Sequence, residues 1–357
     1  MRLNPLTAKK LRRFRQIRRG FFSLVILTIL VVGSLFSELL INNRALAVNY
    51  DGEWFFPTYT RIRLGAEFGL GGDVAQTPVN YRELKTHFRD QESGNRVILP
   101  LVPFSPFENN TYEDVFKPAP PSWQSLHPLG TDSTGRDILA RLVYGFRIAI
   151  FFALAFMALT YLIGITIGCV MGYFGGVFDL LFQRIIEIWS NIPFLYMVII
   201  VFSVIPSTFS ISTRIMILLT IMVLFSWTGM TYYMRTATYR EKSRDYAAAA
   251  IVLGASTPRI IFNHILPNTV STIVTFMPFS VVAGITAITA LDFLGWGLPP
   301  PTPSIGELLK QGTANLTTAP WIVGSAFVAL VFVLTLVTFI GEAVREAFDP
   351  KKYTTYR

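Results

Sequence analysis

Six apolar stretches decide what this chain can become. They cover residues 21–41, 148–174, 180–205, 215–233, 270–291 and 321–340, and each is close to the 20 or so residues that a helix needs to cross a bilayer. In hydrocarbon the backbone must satisfy its hydrogen bonds within the segment, so the pattern predicts an all-α integral membrane protein with six transmembrane helices. Composition agrees. Only 15% of the 357 residues are charged, 52% are hydrophobic and mean hydropathy is +0.48, whereas soluble domains carry about 25% charged residues. The stretch at 180–205 is the least regular. Arg184 and Glu187 in its first turns belong at an interface, and Pro193 predicts a kink as the helix enters lipid.

The charge distribution orients the spans. The net charge of +9 is no sign of nucleic acid, because residues 1–20 hold eight basic residues (Arg2, Lys9, Lys10, Arg12, Arg13, Arg15, Arg18 and Arg19) and no acid. That is a cytoplasmic flank by the positive-inside rule. With six crossings both termini are then cytoplasmic. Residues 42–147 form an extracytoplasmic insertion followed by an interfacial helix, and 148–341 form a core with helices two to six. Within that core 234–269 is a cytoplasmic loop, and 342–357 is a cytoplasmic tail. Thr131 or Ser133 could cap the interfacial helix that runs into Asp137 and Arg141. A basic start and the small residues Ala45-Leu46-Ala47 also resemble a signal peptide. The apolar run of about 21 residues exceeds the usual 7–15, however, and Asn42, Asn43 and Arg44 intervene.

Several chemistries are excluded. No G-x-x-x-x-G-K-[ST] phosphate loop, G-x-S-x-G or H-E-x-x-H occurs. The three histidines (His87, His127, His264) are far apart and on both sides of the membrane, so they form no common metal site. The single cysteine, Cys169, has no partner for a disulfide. Glu38, Arg147, Arg184, Glu187, Asp292 and Glu342 all fall near span ends, which argues against an ion-coupled transporter or an intramembrane enzyme. Inside the second span, Gly164, Gly168 and Gly172 recur every four residues and let another helix approach closely. Packing within this chain is favoured there over a subunit interface.

One greasy segment lies outside the lipid. Tyr246 to Leu253 contains four consecutive alanines and predicts a short helix, which Gly254 can end in a left-handed conformation. Ser256 or Thr257 before Pro258 reads as the start of a second short helix. It runs to about Leu266, and Pro267 marks the return toward the membrane. The pair makes a rigid bracket that exposes Tyr246, Ile251, Val252, Leu253 and Ile260, and exposed apolar patches usually mark a binding surface.

The spacing Ala249-Ala250-x-x-x-Gly254, then nine residues, then Ile265-Leu266-Pro267 resembles the EAA loop of ABC importer permeases. Further motifs resemble the dipeptide/oligopeptide/nickel subfamily. These are His127-Pro-Leu-Gly-Thr-Asp132-x-x-Gly135-Arg-Asp137, Arg141-Leu-x-Tyr-Gly145-x-Arg147, Gly172-Tyr-Phe-Gly-Gly176 and Leu291-Asp-Phe-Leu-Gly-x-Gly-Leu-Pro299. The segments 49–57 and 341–350 are similar to one branch, the YejE-like permeases of microcin C-type peptide importers.

This resemblance implies the type I ABC importer permease fold in a bacterial inner membrane. It implies a subunit with no catalytic site or cofactor of its own, ATP and Mg being used by a cytoplasmic ABC ATPase. The other implied partners are a second, homologous permease and an extracytoplasmic solute-binding protein. Tyr246, Ala249, Ala250, Leu253, Gly254, Ile265, Leu266 and Pro267 would form the coupling loop seated in the ATPase. The chain departs from the pattern at Ala248, where the family usually has Glu. Peptides are the implied cargo. A nickel or other small-ligand importer is the rival within transport, and a non-transport anchor for a cytoplasmic partner is the rival outside it.

Overall fold

A computed structural model describes residues 5–92, 94–110, 118–206 and 208–348. Residues 349–357 of the expected tail and Arg2 of the basic flank lie outside the described residues. The chain divides into two compact units. One comprises Met1–Thr28, Ala149–Pro299 and Val331–Arg357, and the other Ile29–Ile148 and Pro300–Leu330.

Among the described residues, five helices are long and apolar enough to cross a membrane: α2 (Arg18–Leu35), α5 (Ile138–Phe174), α8 (Ile211–Lys242), the continuous helix Thr257–Leu294, and α13 (Pro320–Phe348). The pair α6 (Gly176–Ser190) and α7 (Phe194–Val204), bent by 65° between them, makes a sixth candidate if it is one broken span and not a re-entrant loop. The kink expected at Pro193 is thus a complete break. Proline has no N–H to continue the ladder, and its ring excludes the preceding residue from helical geometry. The helices overrun their apolar stretches, since polar residues beyond the hydrocarbon remain helical once nucleated. Thus α8 continues to Lys242, and α5 begins at Ile138 with no separate interfacial helix before it. Neither Thr131 nor Ser133 caps α5. Asp137 does so, its Oδ1 accepting from the Ala140 amide at 2.7 Å, while the Thr131 hydroxyl accepts from the Ala119 amide and Ser133 binds Gln311.

In the first unit α5 and α8 pack through the glycine ridge. A Cβ added at Gly164 would stand 2.8 Å from the Trp227 carbonyl oxygen, one at Gly168 2.5 Å from that of Thr231, and one at Gly172 2.5 Å from that of Arg235. Three glycines four apart therefore meet three carbonyls four apart, one turn after another, as small-residue ridges do in membranes. The short helix α1 (Pro5–Gln16) buries Phe14 against Ile340, Ala343 and Ala347 of α13.

The second unit holds a small folded insertion. Strands β1 (Ala47–Tyr50), β2 (Glu53–Phe55) and β3 (Arg96–Ile98) form an antiparallel sheet in the order β2-β1-β3. Asp51 and Gly52, with φ of 50° and 85°, make the two-residue turn whose twist suits a hairpin. Helix α4 (Tyr81–Asp90) buries Tyr81, Leu84 and Phe88 from one face, and these join Val48, Phe68 and Val97 in the core. Its start is fixed by Asn80, whose side chain accepts from the Arg82 amide at 3.2 Å.

The same unit contains a knot of buried charges. Arg141, fully buried, donates to Glu307 Oε2 at 2.5 Å and to the carbonyls of Pro106 and Pro301 at 3.2 Å. Asp132 Oδ2 accepts from Arg136 Nε at 2.8 Å and lies 3.4 Å from Arg141 Nε. Asp137 Oδ2 meets His127 Nδ1 at 2.7 Å. Glu307 sits in the first turn of α12 (Ile305–Ala314), capped by Ser304. The H-P-L-G-T-D and R-D segments thus do structural work: each buried charge is matched, as burial demands.

Candidate functional site: the hairpin between α8 and the next span

The hairpin grows from the end of α8. Lys242 donates from Nζ to the Tyr173 carbonyl at 2.5 Å, at the end of α5. Asp179 of α6 accepts from Arg235 Nε and Nη2, both at 2.5 Å, and from the Tyr239 hydroxyl at 3.0 Å. Buried Glu241 accepts from the Tyr246 hydroxyl at 3.1 Å across the turn. Burial first, then the adjacent Glu241 carboxylate, pushes the Tyr246 phenol above its ordinary pKa. The phenol donates to the Glu241 carboxylate, which fixes the entry angle of the next helix.

That helix, α9 (Asp245–Val252), turns Ala247 and Ala250 inward and leaves Ala248 and Ala249 exposed. Its end is a Schellman motif. The Ala255 amide donates to the Ala250 carbonyl at 3.0 Å, the Gly254 amide donates to the Ile251 carbonyl at 2.9 Å, and Gly254 has φ of +75°. No atom lies within 4 Å of a Cβ added there. Glycine is needed for its backbone conformation, with open space beside it.

The return limb differs from two separate elements. Ser256 takes the N-cap conformation, with no side-chain cap bond, ahead of α10 (Thr257–Arg259). A π-helical turn, Ile260–Ile265, then leads without a break into α11 (Leu266–Leu294). Pro267 does not end the helix as expected. The Leu266 amide reaches back to the Ile261 carbonyl, five residues earlier, and this widened turn relieves the clash a proline ring makes with the preceding turn. The same widening carries Ile260 inward. It is only 2% exposed and packs with Ala250, Ile265 and Tyr173.

The sequence-selected residues thus separate into two sets. Ala250 and Ile265 are buried and hold the bracket together, and Tyr246 and Leu266 are half-buried. Ala249, Leu253, Gly254 and Pro267 are exposed. The tip is apolar and bare: Ile251, Val252 and Leu253 are 52%, 87% and 85% exposed. Reading the sequence missed Glu241 and Asp179 as anchors. The i, i+4 pair Arg235 and Tyr239, on the face that meets Asp179, was the available signal.

A multi-pass helical membrane subunit presenting an apolar hairpin between two spans is the class that fold and site define. The chain belongs to the family described as binding-protein-dependent transport system inner membrane component, matched over residues 164–353. It is 41% identical over 351 residues to the inner membrane ABC transporter permease protein YejE of Escherichia coli (strain K12), covering 98% of this chain and 99% of that one. It is 37% identical over 373 residues to the peptidoglycan transport system permease protein YejE of Agrobacterium fabrum, covering 98% and 94%. A third relative is the dipeptide transport system permease protein DppC of Haemophilus influenzae, 32% identical over 255 residues, 70% of this chain and 83% of the relative. The protein is therefore a permease subunit of an ABC importer in the inner membrane. It works with an ATPase and a solute-binding protein, and ATP hydrolysis takes place on the ATPase.

Proposed function

We propose that this subunit imports peptides and that the hairpin at 245–267 couples it to the ATPase. The carrying observation is the tip Ile251-Val252-Leu253, apolar and exposed on a hairpin whose root is fixed by Glu241, Lys242 and the Schellman turn. Fully burying side chains of this size is worth about 1.5–3 kcal/mol each, so a partner's cleft gains affinity by covering them. The root makes the hairpin a rigid lever. ATP-driven closure of a dimeric ATPase then moves it as a unit and rocks the attached helices between two packed arrangements. Peptide cargo is supported by the DppC relative, a permease of a dipeptide transport system. ATP and Mg belong to the partner chain.

In this reading both termini and the hairpin are cytoplasmic, residues 42–147 are extracytoplasmic, and a second, related permease completes the path. Ala248 faces outward, so the family's missing Glu is missing from the docking face and docking rests on shape and apolar contact. The test is Leu253→Asp in the assembled importer. It should abolish co-purification of the ATPase and binding-protein-dependent peptide uptake, with unchanged membrane insertion. Unchanged ATPase yield and uptake would sink the proposal.

A further inference from the structure

Four spans bring their ends around one cavity of about 540 Å³. Arg19 comes from the first turn of α2, Arg240 from the last turn of α8, and Glu342, Arg345 and Glu346 from the last turns of α13. Ser271 and Thr272, near the start of α11, add two half-buried hydroxyls. Close contacts hold the walls. A Cβ added at Gly20 would overlap that of Ala343, so α2 and α13 touch here, and one at Gly341 would stand 3.0 Å from the Phe279 ring of α11. The Lys10 ammonium of α1 lies 4.6 Å from the centre of the Phe348 ring, which also lines the cavity. The arginines keep their heads in the open. Arg345 and Arg240 are exposed, the latter 3.3 Å from Glu241 of its own helix, and Arg19 holds only a long 3.9 Å pairing with Glu346. Beyond Arg19 the same face of α2 turns apolar and stays bare, with Phe22 and Ile26 59% and 38% exposed. Basic pockets between spans at a membrane face are lipid headgroup sites, and a bare apolar stripe running on from the charges suits the chains of the same molecule.

We propose that this cavity seats the headgroup of a phospholipid carrying a primary ammonium, phosphatidylethanolamine, bound as a structural ligand of the spans. The guanidiniums of Arg19, Arg240 and Arg345 suit the phosphate, which arginine grips through paired N–H donors. Glu342 and Glu346, one helical turn apart, suit an ammonium that can donate to them. One zwitterion meets both needs. A choline headgroup has no N–H for the glutamates, and a glycerol headgroup leaves them facing a lipid with no positive charge. The acyl chains run on past Phe22 and Ile26. Because the arginines come from α2, α8 and α13, a single phosphate links three spans, and α8 carries the root of the hairpin. Nothing in this site depends on the cargo.

The test titrates dioleoyl-phosphatidylethanolamine into the complete importer, delipidated in detergent, and counts bound lipid by native mass spectrometry. The wild type should hold this lipid about tenfold more tightly, in one binding step, than the choline or glycerol lipid of the same chains, as one charge-assisted hydrogen bond implies. Arg345→Gln, at an exposed position, should weaken that step about tenfold for all three lipids. Glu342→Gln should keep the step and erase its preference for ethanolamine over choline, a change in selectivity that a folding defect does not produce. Equal wild-type affinity for the ethanolamine and choline lipids, tighter binding of the glycerol lipid, or steps that neither substitution alters would overturn the proposal. Displacement by chain-free glycerophosphoethanolamine at the lipid's own concentration would overturn it too, by assigning the cavity to a soluble phosphate.

Discussion

The charge knot and the hairpin tip reverse the usual rule of charges outside and apolar groups inside. In the knot, Asp132, Arg136, Asp137, Arg141 and Glu307 are all less than a tenth exposed, while at the tip Val252 and Leu253 are almost wholly exposed. The difference lies in completeness. Every charge in the knot faces an opposite charge within the chain, although Arg141 Nε makes no hydrogen bond. The tip is left uncovered among the described residues, and under the proposed function its burial falls to the ATPase. A self-satisfied region should respond to mutation through stability, and an unsatisfied one through assembly.

Arg141→Ala is the hardest test of that contrast. It takes from buried Glu307 its 2.5 Å partner and leaves Arg136 alone to face both Glu307 and Asp132, and breaking a buried pair typically costs about 3–5 kcal/mol. Thermal unfolding of the detergent-solubilised protein should show a large loss, and a Glu307→Leu partner mutation should recover part of it. An unchanged transition would mean that water already reaches the knot.

Gly168→Val comes next. The new Cβ would lie 2.5 Å from the Thr231 carbonyl, forcing α5 and α8 apart at a cost of about 1–3 kcal/mol. Lowered thermal stability is expected, with ATPase co-purification falling only in proportion to folded protein. Docking loss with unchanged stability would instead move the glycine ridge to a partner interface.

Gly254→Val sharpens the other side. A Cβ there meets no atom within 4 Å, but the residue must adopt φ of +75°, which costs about 1–2 kcal/mol. Because the tip is a local element, global unfolding should shift little. Hydrogen exchange at 249–255 should accelerate, and ATPase co-purification should fall. Normal exchange and normal docking together would show that the Schellman turn does not set the tip.

Local chemistry explains which of these features could be read from sequence. The six apolar stretches were legible because hydrocarbon imposes a length and a composition, and the Gly254 stop was legible because the left-handed turn selects glycine. The ends of α5 and α8 were not, since beyond the lipid nothing in hydropathy stops a helix. Pro267 misled because its cost depends on the turn before it, and the π-helical turn at Ile260–Ile265 absorbs it. That turn also reverses the facing of Ile260. Glu307 lies 166 residues from Arg141, and pairing over such a separation leaves no local pattern. The insertion had a readable hairpin signal in Asp51-Gly52, but its core depends on contacts between α4 and the sheet.

Glu67 offers the smallest and most graded test, because it is neither hidden like the knot nor bare like the tip. Its carboxylate accepts from the Leu64 amide at 3.2 Å, from Arg63 at 2.7 Å and from Arg61 at 3.1 Å. The Leu64 amide first, with the two arginines adding, holds its pKa below the ordinary 4.5. A carboxylate with a depressed folded pKa contributes stability in full above its unfolded value and loses it as pH falls through the folded one. Its side chain is 27% exposed, so solvent limits the contribution to about 1 kcal/mol or less. Glu67→Gln should therefore lower the unfolding temperature slightly at pH 7. The gap from wild type should narrow as pH drops below 4.5. A gap that stays constant with pH would assign the effect to the shape of the Gly65–Phe68 turn and remove its charge from the account.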